Sequence, residues 1–520
     1  MKESFWPAVF TILIGSFMAV LDTSIVNVAI PKMMNVFGVA ADQIEWVLTA
    51  YTLVMAAVIP LTGYLGKHYG FKKMYIVSFV LFTVGSLLCG LAWSNNTLIA
   101  ARIIQALGGG LIQPIGQALL YQVVPREKLG PAMGVFAISV MVAPAIGPTL
   151  SGYIVQYLDW HLIFTINVPI GMIGILMAWT FLNETEIVKT KEKFDLPGFL
   201  YAATMLTTLL LGVTKGHEKG WTSFYIVSLF AASLICLLLL IYRELTFEHP
   251  LLDLRLFKIA DFSNGMIIGS LIMIGMFGPV YLIPIYAESL LGYTAMNTGL
   301  LMFPQSVFSG IVSLIAGMFL MKRFGSKPLI LLGLSATLIN GIMLTDINMN
   351  TTDSTIRWLL SLRGLGLGLC MMPTMQMPLD PLDKSQTGNG SALLNISRQV
   401  ALSIGVAILT SVFQTNGVKH AVQLANTVNA SNPINSDYLL NQQNLYMAQG
   451  FSSNDAYGYA VNSMLGLVQK YATIQAVDDA LWVAAIFVAM AIPLALLIRG
   501  GKAAKKSVEE PEAAHMAVEM

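Results

Sequence analysis

Predominantly apolar runs of about 20 residues, each sufficient to cross a ~30 Å hydrocarbon core, succeed one another along this chain to about residue 498. They lie near 7–31, 46–66, 74–94, 98–121, 131–156, 162–182, 197–214, 222–242, 263–287, 296–321, 328–345, 357–378, 388–414 and 478–498. Short polar, basic or Gly/Pro-bearing breaks separate them. Within a bilayer only helices satisfy their own backbone, so the pattern predicts an all-α integral membrane protein of about 14 transmembrane helices.

Ionisable residues inside these runs are the most informative positions, because a charge at hydrocarbon depth costs several kcal/mol unless it faces protein or water. Asp22 stands in the middle of the first run, and Arg102, Arg363 and Arg398 interrupt three others. At about 1.5 Å per residue, Asp22 lies ~22 Å from the inner boundary and Arg102 ~8 Å below the outer one. The two charges are therefore expected at one depth. Two readings stay open: a carboxylate that exchanges a proton as its distance from the guanidinium changes, or a permanent ion pair joining the first and fourth helices.

Composition agrees with a chain that lives in lipid: 56% of residues are hydrophobic and 11% charged, where soluble domains carry about 25% charge. With the N-terminus taken as cytoplasmic, the inner connections collect Lys67, Lys72, Lys73, Arg126, Lys128, Lys189, Lys322, Arg323, Lys327 and Lys384. The outer ones carry far fewer basic residues, among them Lys215, Lys219, Lys419 and Lys470. This sorting places both termini in the cytoplasm. The near-zero net charge carries no hint of nucleic acid. Cys89, Cys236 and Cys370 fall inside predicted helices as packing residues, without a disulfide framework. The first run reads as a retained span, and the charged end 499–520 as a disordered tail. No phosphate-binding Gly-x-x-x-x-Gly-Lys-Ser/Thr loop, nucleophile elbow or metal-ligand cluster occurs. The chain is therefore read as a non-enzyme without cofactor or metal, which leaves a channel, a facilitator or an ion-coupled carrier.

An internal repeat favours the carrier. The connection Gly63-Tyr64-Leu65-Gly66-Lys67-His68-Tyr69-Gly70-Phe71-Lys72-Lys73 has a weaker counterpart in Gly317-Met318-Phe319-Leu320-Met321-Lys322-Arg323-Phe324-Gly325-Ser326-Lys327. Two runs after each comes an arginine followed by glycines, Arg102 with Gly108-Gly109-Gly110 and Arg363 with Gly364, Gly366 and Gly368. Repeated halves are the architecture of alternating-access carriers. The expected division is an N-terminal six-helix half at 1–183, two inserted helices and linkers at 184–262, a C-terminal six-helix half at 263–498, and the tail.

These residues resemble the major facilitator superfamily, in its fourteen-span EmrB/QacA-like drug:proton antiporter branch, over nearly the whole chain. Leu21-Asp22-Thr23-Ser24-Ile25-Val26-Asn27-Val28-Ala29-Ile30-Pro31 is similar to the branch's first-helix motif, 63–73 to the superfamily's signature loop, and Arg102-Ile103-Ile104-Gln105 to its fourth-helix motif. Pro144-Ala145-Ile146-Gly147-Pro148-Thr149-Leu150-Ser151-Gly152 resembles the fifth-helix antiporter motif, followed by Phe164-Thr165-Ile166-Asn167-Val168-Pro169. The resemblance implies a major facilitator fold, proton coupling at Asp22 and Arg102, and gating roles for Gly63, Gly70, Lys72, Pro144, Gly147, Pro148 and Gly152. Three positions depart from the pattern. Lys67 replaces the loop's acid, Ala106 and Ser151 replace glycines, and Glu288 stands where glutamine is more common.

Glu288 is either a second proton site or a solvated carboxylate at the aqueous boundary. Gly147-Pro148 should break the fifth helix, since proline removes a backbone donor, and the bend either seals a cavity or merely faces lipid. Arg398 is either a packing lock or a cavity residue. A substrate cavity is expected from Tyr51, Gln105, Gln113, Phe277, Tyr281, Phe303, Gln305, Asn395 and Arg398, with methionines that repack around varied ligands. The long outer connection 415–477 is read as a short helical hairpin followed by a helix that leads into the last span through Asp478, Asp479 and Trp482. Members of the branch work with a membrane-fusion partner, so this connection is a docking candidate. The reading is a proton-coupled multidrug efflux antiporter in the cell membrane, moving drug-like small molecules against protons. The alternatives are a dedicated exporter of one metabolite, peptide or lipid, and a transporter-like sensor or scaffold.

Overall fold

The computed structural model describes residues 5–184, 194–248, 250–348, 351–428 and 433–497, and among these only helices and turns occur. The tail 499–520 and residues 185–193 of the linker lie outside the described residues. The spans, numbered in chain order, are α1 Trp6–Phe37, α2 Trp46–Val58 with its continuation Leu61–Tyr69, α3 Phe71–Gly90, α4 Asn95–Val123, α5 Leu129–Tyr157, α6 Asn167–Phe181, α7 Leu196–Lys219, α8 Phe224–Thr246, α9 Ala260–Ser289, α10 Ala295–Ile315, α11 Ser326–Leu344, α12 Asp353–Gln376, α13 Thr387–Thr427 and α14 Ser453–Leu496. Each apolar run falls on one of them. Among the described residues, twelve helices are long and apolar enough to cross a membrane alone, and α2, bent by 56°, makes a thirteenth. The remaining run is α12, interrupted by Arg357 and Arg363 and packed between α10 and α11.

Local chemistry marks the ends of these helices. A Ser94–Thr97 capping box opens α4, and Asp195, Ser223 and Thr294 accept first-turn N–H groups at the starts of α7, α8 and α10. Gly70 at φ +89° and Gly325 at φ +80° turn the chain into α3 and α11, a conformation only glycine takes without strain. These are equivalent points of the internal repeat. The second loop is one residue longer between its glycines, and a π turn at Ala316–Leu320 takes up the extra residue.

Helices α1–α6 pack on one another, as do α9–α14. The two groups meet along α5 and α10, where Gly130 and Gly317 face each other at one end and Gly299 lies against Thr149 at the other. A Cβ at Gly130 or Gly317 would press into the opposing backbone, so the glycines set this close approach. On the face that carries the chain's first described residues, α2 and α4 also meet α12 and α13. A side chain at Gly63 would collide with the Asn389 amide. Tyr121 donates to the Gln376 carbonyl at 3.0 Å, Gln117 to that of Met375 at 3.3 Å, and Ser391 to that of Pro114 at 2.8 Å. The hydrogen bonds that join the two groups among the described residues lie on this side, which is closed. Both ends of the described chain share it: Lys128 sits over the Phe5 ring at 5.3 Å, and Lys327 donates to the Leu496 carbonyl.

The inserted pair lies across the seam. Leu206 and Leu210 of α7 pack with Ala56 of α2 and against Ile396 and Val400 of α13, while Lys215 pairs with Glu45 at 2.5 Å. On the opposite face α13 and α14 run on beyond the bilayer. They have 41 and 44 residues, roughly 60 Å or more at 1.5 Å per residue against a ~30 Å core. The expected hairpin is thus the helix Pro433–Ala448 packed on extended spans. Asn416 and His420 both reach Asp479, at 2.7 and 2.8 Å, and hold the base of this projection.

Candidate functional site

Five helices of the first group converge on one carboxylate. Arg102 of α4 donates from Nη1 to Asp22 Oδ2 at 2.5 Å, and the same nitrogen donates to Gln105 Oε1 at 2.6 Å. The other carboxylate oxygen, Oδ1, accepts from Gln105 at 2.7 Å and from Asn167 of α6 at 2.8 Å. Ser86 of α3 accepts a second hydrogen bond from the Gln105 amide, and the Val47 carbonyl of α2 accepts from Arg102 Nε. The Tyr51 ring stacks on the guanidinium with 3.8 Å from its carbon to the ring centroid. Asp22 and Arg102 have no exposed surface. Arg102 Nη2, the Tyr51 hydroxyl and Asn167 Oδ1 find no partner among the described residues, so the cluster retains unused polar capacity. Removing one member of such a pair strands the other charge in a dry site, at a cost of about 3–5 kcal/mol.

The cluster lies beside a cavity, not in it. A 190 Å³ cavity between the two helix groups is bounded by Val20 and Thr23 of α1, Gln113 and Pro114 of α4, Pro144 of α5, and Asn395, Arg398 and Gln399 of α13, with Met55, Met273, Met371 and Met375 supplying its apolar wall. Asp22 and Thr23, about 100° apart around α1, therefore face different surroundings. The cavity ends at the closed face, where Asn395 donates to Gln117 at 3.0 Å.

The expected cavity set is thereby divided. Gln113, Asn395 and Arg398 line the cavity. Tyr51 and Gln105 belong instead to the charge cluster, drawn there by the guanidinium and the carboxylate. Gln305 lines a separate 30 Å³ space with Pro144 and Met302. Tyr281 and Phe303 stand on the bundle surface, 44% and 43% exposed, as aromatic residues do on lipid-facing helices. The Phe277 side chain lies outside the described residues. Glu288 is exposed in the last turn of α9 and makes no ion pair among the described residues.

The gating candidates hold contacts between elements. Gly63 admits Asn389 of α13, Gly147 admits the Ser24 hydroxyl of α1, and Gly152 lies near Met296 of α10. Helix α5 is not broken: it runs unbroken through Pro144 and Pro148, clamped between α1 and α10. Lys72 donates from its ammonium to the Trp179 carbonyl at 2.8 Å. The carboxylate that Lys67 displaces from the signature loop is supplied from elsewhere. Glu184, just beyond α6, accepts the Lys72 backbone N–H at 3.2 Å and lies against Gly70. Neither Glu184 nor Asn167 was expected as a site residue, although Asn167 was visible as a lone amide in an apolar run. Arg363 donates to the Met276 carbonyl and ties α12 to α9 without a carboxylate.

Residues 12–406 match the Major Facilitator Superfamily. The chain belongs to this superfamily. Like its members it is a transporter and not an enzyme, and its fourteen helices form the superfamily's all-helical fold. It is 32% identical over 506 residues to the "Uncharacterized MFS-type transporter YhcA" of Bacillus subtilis (strain 168), covering 96% of this chain and 94% of the relative. It is also 32% identical over 479 residues to the "Multidrug export protein EmrB" of Haemophilus influenzae, covering 88% and 92%. A third relative, the "Riboflavin transporter RibZ" of Clostridioides difficile (strain 630), is 32% identical over 413 residues, covering 79% and 89%. The chain is thus a multi-pass membrane transporter of the branch that its first-helix and fifth-helix motifs resemble.

Proposed function

We propose that this transporter is a proton-coupled multidrug efflux antiporter of the cell membrane, exporting hydrophobic small molecules with both termini in the cytoplasm. The observation that carries the reading is a fully buried carboxylate, Asp22, set against Arg102 on a face of α1 next to the one that lines the inter-group cavity. A movement of α1 that opens the cavity to one face also changes the company of Asp22. Parted from the guanidinium in a dry site, a carboxylate takes up a proton instead of remaining charged, which links proton movement to conformation. In this reading the halves 1–183 and 263–498 are the moving bodies, Gly63 and its contact with Asn389 form the cytoplasmic gate, and Glu288 remains a solvated carboxylate. The projection built from 415–477 docks a membrane-fusion protein.

Purified chain in liposomes with an imposed pH gradient and a panel of unrelated dyes tests the proposal. Gradient-driven movement of several chemically distinct dyes, lost in Asp22→Asn, is the expected result. The likeness to a riboflavin transporter favours a second reading, a dedicated exporter. Movement of one compound from the panel would select it, and movement of none would leave a sensor.

A further inference from the structure

The central cavity holds one charge and no counter-charge. Among its lining residues Arg398 is the sole ionisable side chain, and the others are apolar, neutral amides or the Thr23 hydroxyl. A guanidinium carries five N–H donors, yet among the described residues Arg398 makes one hydrogen bond, from Nη2 to the Thr374 carbonyl at 3.3 Å, and its buried Nε has no partner there. It takes part in no ion pair among the described residues. Asp22 and Asp380 have other partners. Both oxygens of Asp22 are occupied by Arg102, Gln105 and Asn167. Asp380, on the closed face, lies against the Tyr121 hydroxyl at 3.5 Å.

We infer that this cavity recognises a compact hydrophobic anion, an aromatic carboxylate or sulfonate, whose acid group pairs with Arg398 while its rings lie against Met273, Met371 and Met375. Guanidinium forks match carboxylate geometry with two parallel hydrogen bonds, and such pairs strengthen away from water. The neutral amides of Gln113 and Asn395 supply further polar contacts without adding a competing negative charge. At 190 Å³ the space is below the roughly 300 Å³ of drug-sized sites, which favours a two-ring ligand. The inference deepens the export proposal by naming the substrate's charge.

The test is equilibrium binding to the purified full chain in nanodiscs, by calorimetry near neutral pH, with three probes of similar shape: 1-naphthaleneacetate, 1-naphthaleneacetamide and 2-(1-naphthyl)ethylammonium. The anion is expected to bind at least about tenfold more tightly than the amide, and the cation more weakly than either. Arg398→Gln should bring the anion to the level of the amide, and Arg398→Lys should keep a preference for the anion. Equal binding of anion and amide to the unaltered protein overturns the inference, as does an undiminished preference in Arg398→Gln, or binding of none of the three. If Arg398 were only a packing lock, Arg398→Gln would lower the unfolding temperature and leave the order of the three probes unchanged. The measurement uses no gradient. Its failure therefore leaves proton-driven export standing, and loss of proton-driven export leaves anion binding standing.

Discussion

Asp22 is accepting three hydrogen bonds in a site without water-exposed surface, so its charge is held by specific donors and each donor can be tested separately. Asp22→Asn preserves shape but leaves Arg102 without an anion, and the expected destabilisation is about 3–5 kcal/mol, read as a fall in unfolding temperature together with loss of gradient-driven export. Arg102→Gln should be strongly non-additive with it, because residues in one network fail additivity by about 0.5–3 kcal/mol. A double-mutant cycle whose effects simply add would remove the pair from the mechanism. Asn167→Leu removes a single donor to the carboxylate and should cost about 1.5–3 kcal/mol, the range for hydrogen bonds to charged groups. The shared depth of Asp22 and Arg102 was legible in the sequence, since a helix converts residue number into height. Asn167 was not, because depth gives no azimuth: which side chains turn toward the carboxylate depends on how five helices are rotated against one another. The same missing azimuth sent Tyr51 and Gln105 to the cavity in the sequence reading and Tyr281 and Phe303 away from lipid.

Element contacts turn on single glycines, and Gly63 is the clearest case. Its Cα faces the Asn389 side chain of α13 across the seam on the closed face, so a side chain there must displace the Asn389 amide or push α2 from α13. Gly63→Ala should disfavour the closed state by about 1–3 kcal/mol, the usual cost of overpacking. The check is thiol labelling of Thr387→Cys, which is buried on this face: labelling should accelerate in Gly63→Ala and return toward the original rate when Asn389→Ala makes room. Acceleration that Asn389→Ala does not reverse would place the strain elsewhere. The glycine and lysine pattern of the repeat announced these loops, and Gly70 and Gly325 turn the chain at the expected points. What the pattern did not carry is compensation between elements. The π turn at Ala316–Leu320 absorbs a one-residue difference that spacing alone leaves unexplained. Glu184 reaches the signature loop from the end of α6, a partnership between segments more than a hundred residues apart. The unbroken α5 has the same origin, because a proline-bearing helix held on two sides has nowhere to bend.

The whole molecule joins two six-helix groups through a long α5–α10 contact, with α7 and α8 across the seam and a helical projection on the face opposite the closed one. Hydropathy could count the spans, since length in an apolar run is all a crossing needs, and the start signal at Ser453-Asn454-Asp455 announced the helix that leads into α14, but neither could show that α13 also continues as a helix past the bilayer, where Asn416, Lys419 and His420 read as loop. The projection is helical among the described residues, and its surface leaves Val418 66% and Leu440 56% exposed. Replacing 424–465 with a short Gly/Ser linker keeps the Asn416, His420 and Asp479 contacts at its base. A flexible connection changes closure cost by only about 0.6 kcal/mol for each doubling of its length, so insertion and folding should survive the replacement. If the projection docks a membrane-fusion protein, export from cells is lost while dye movement in liposomes, where no partner is present, continues at the original rate. Loss in both settings would make the projection part of the transport cycle itself, with its base coupling α13 to α14 as the cavity opens. Unchanged export in cells would strip it of both roles, and the interval between those results is wide enough for one vesicle assay and one cell assay to decide.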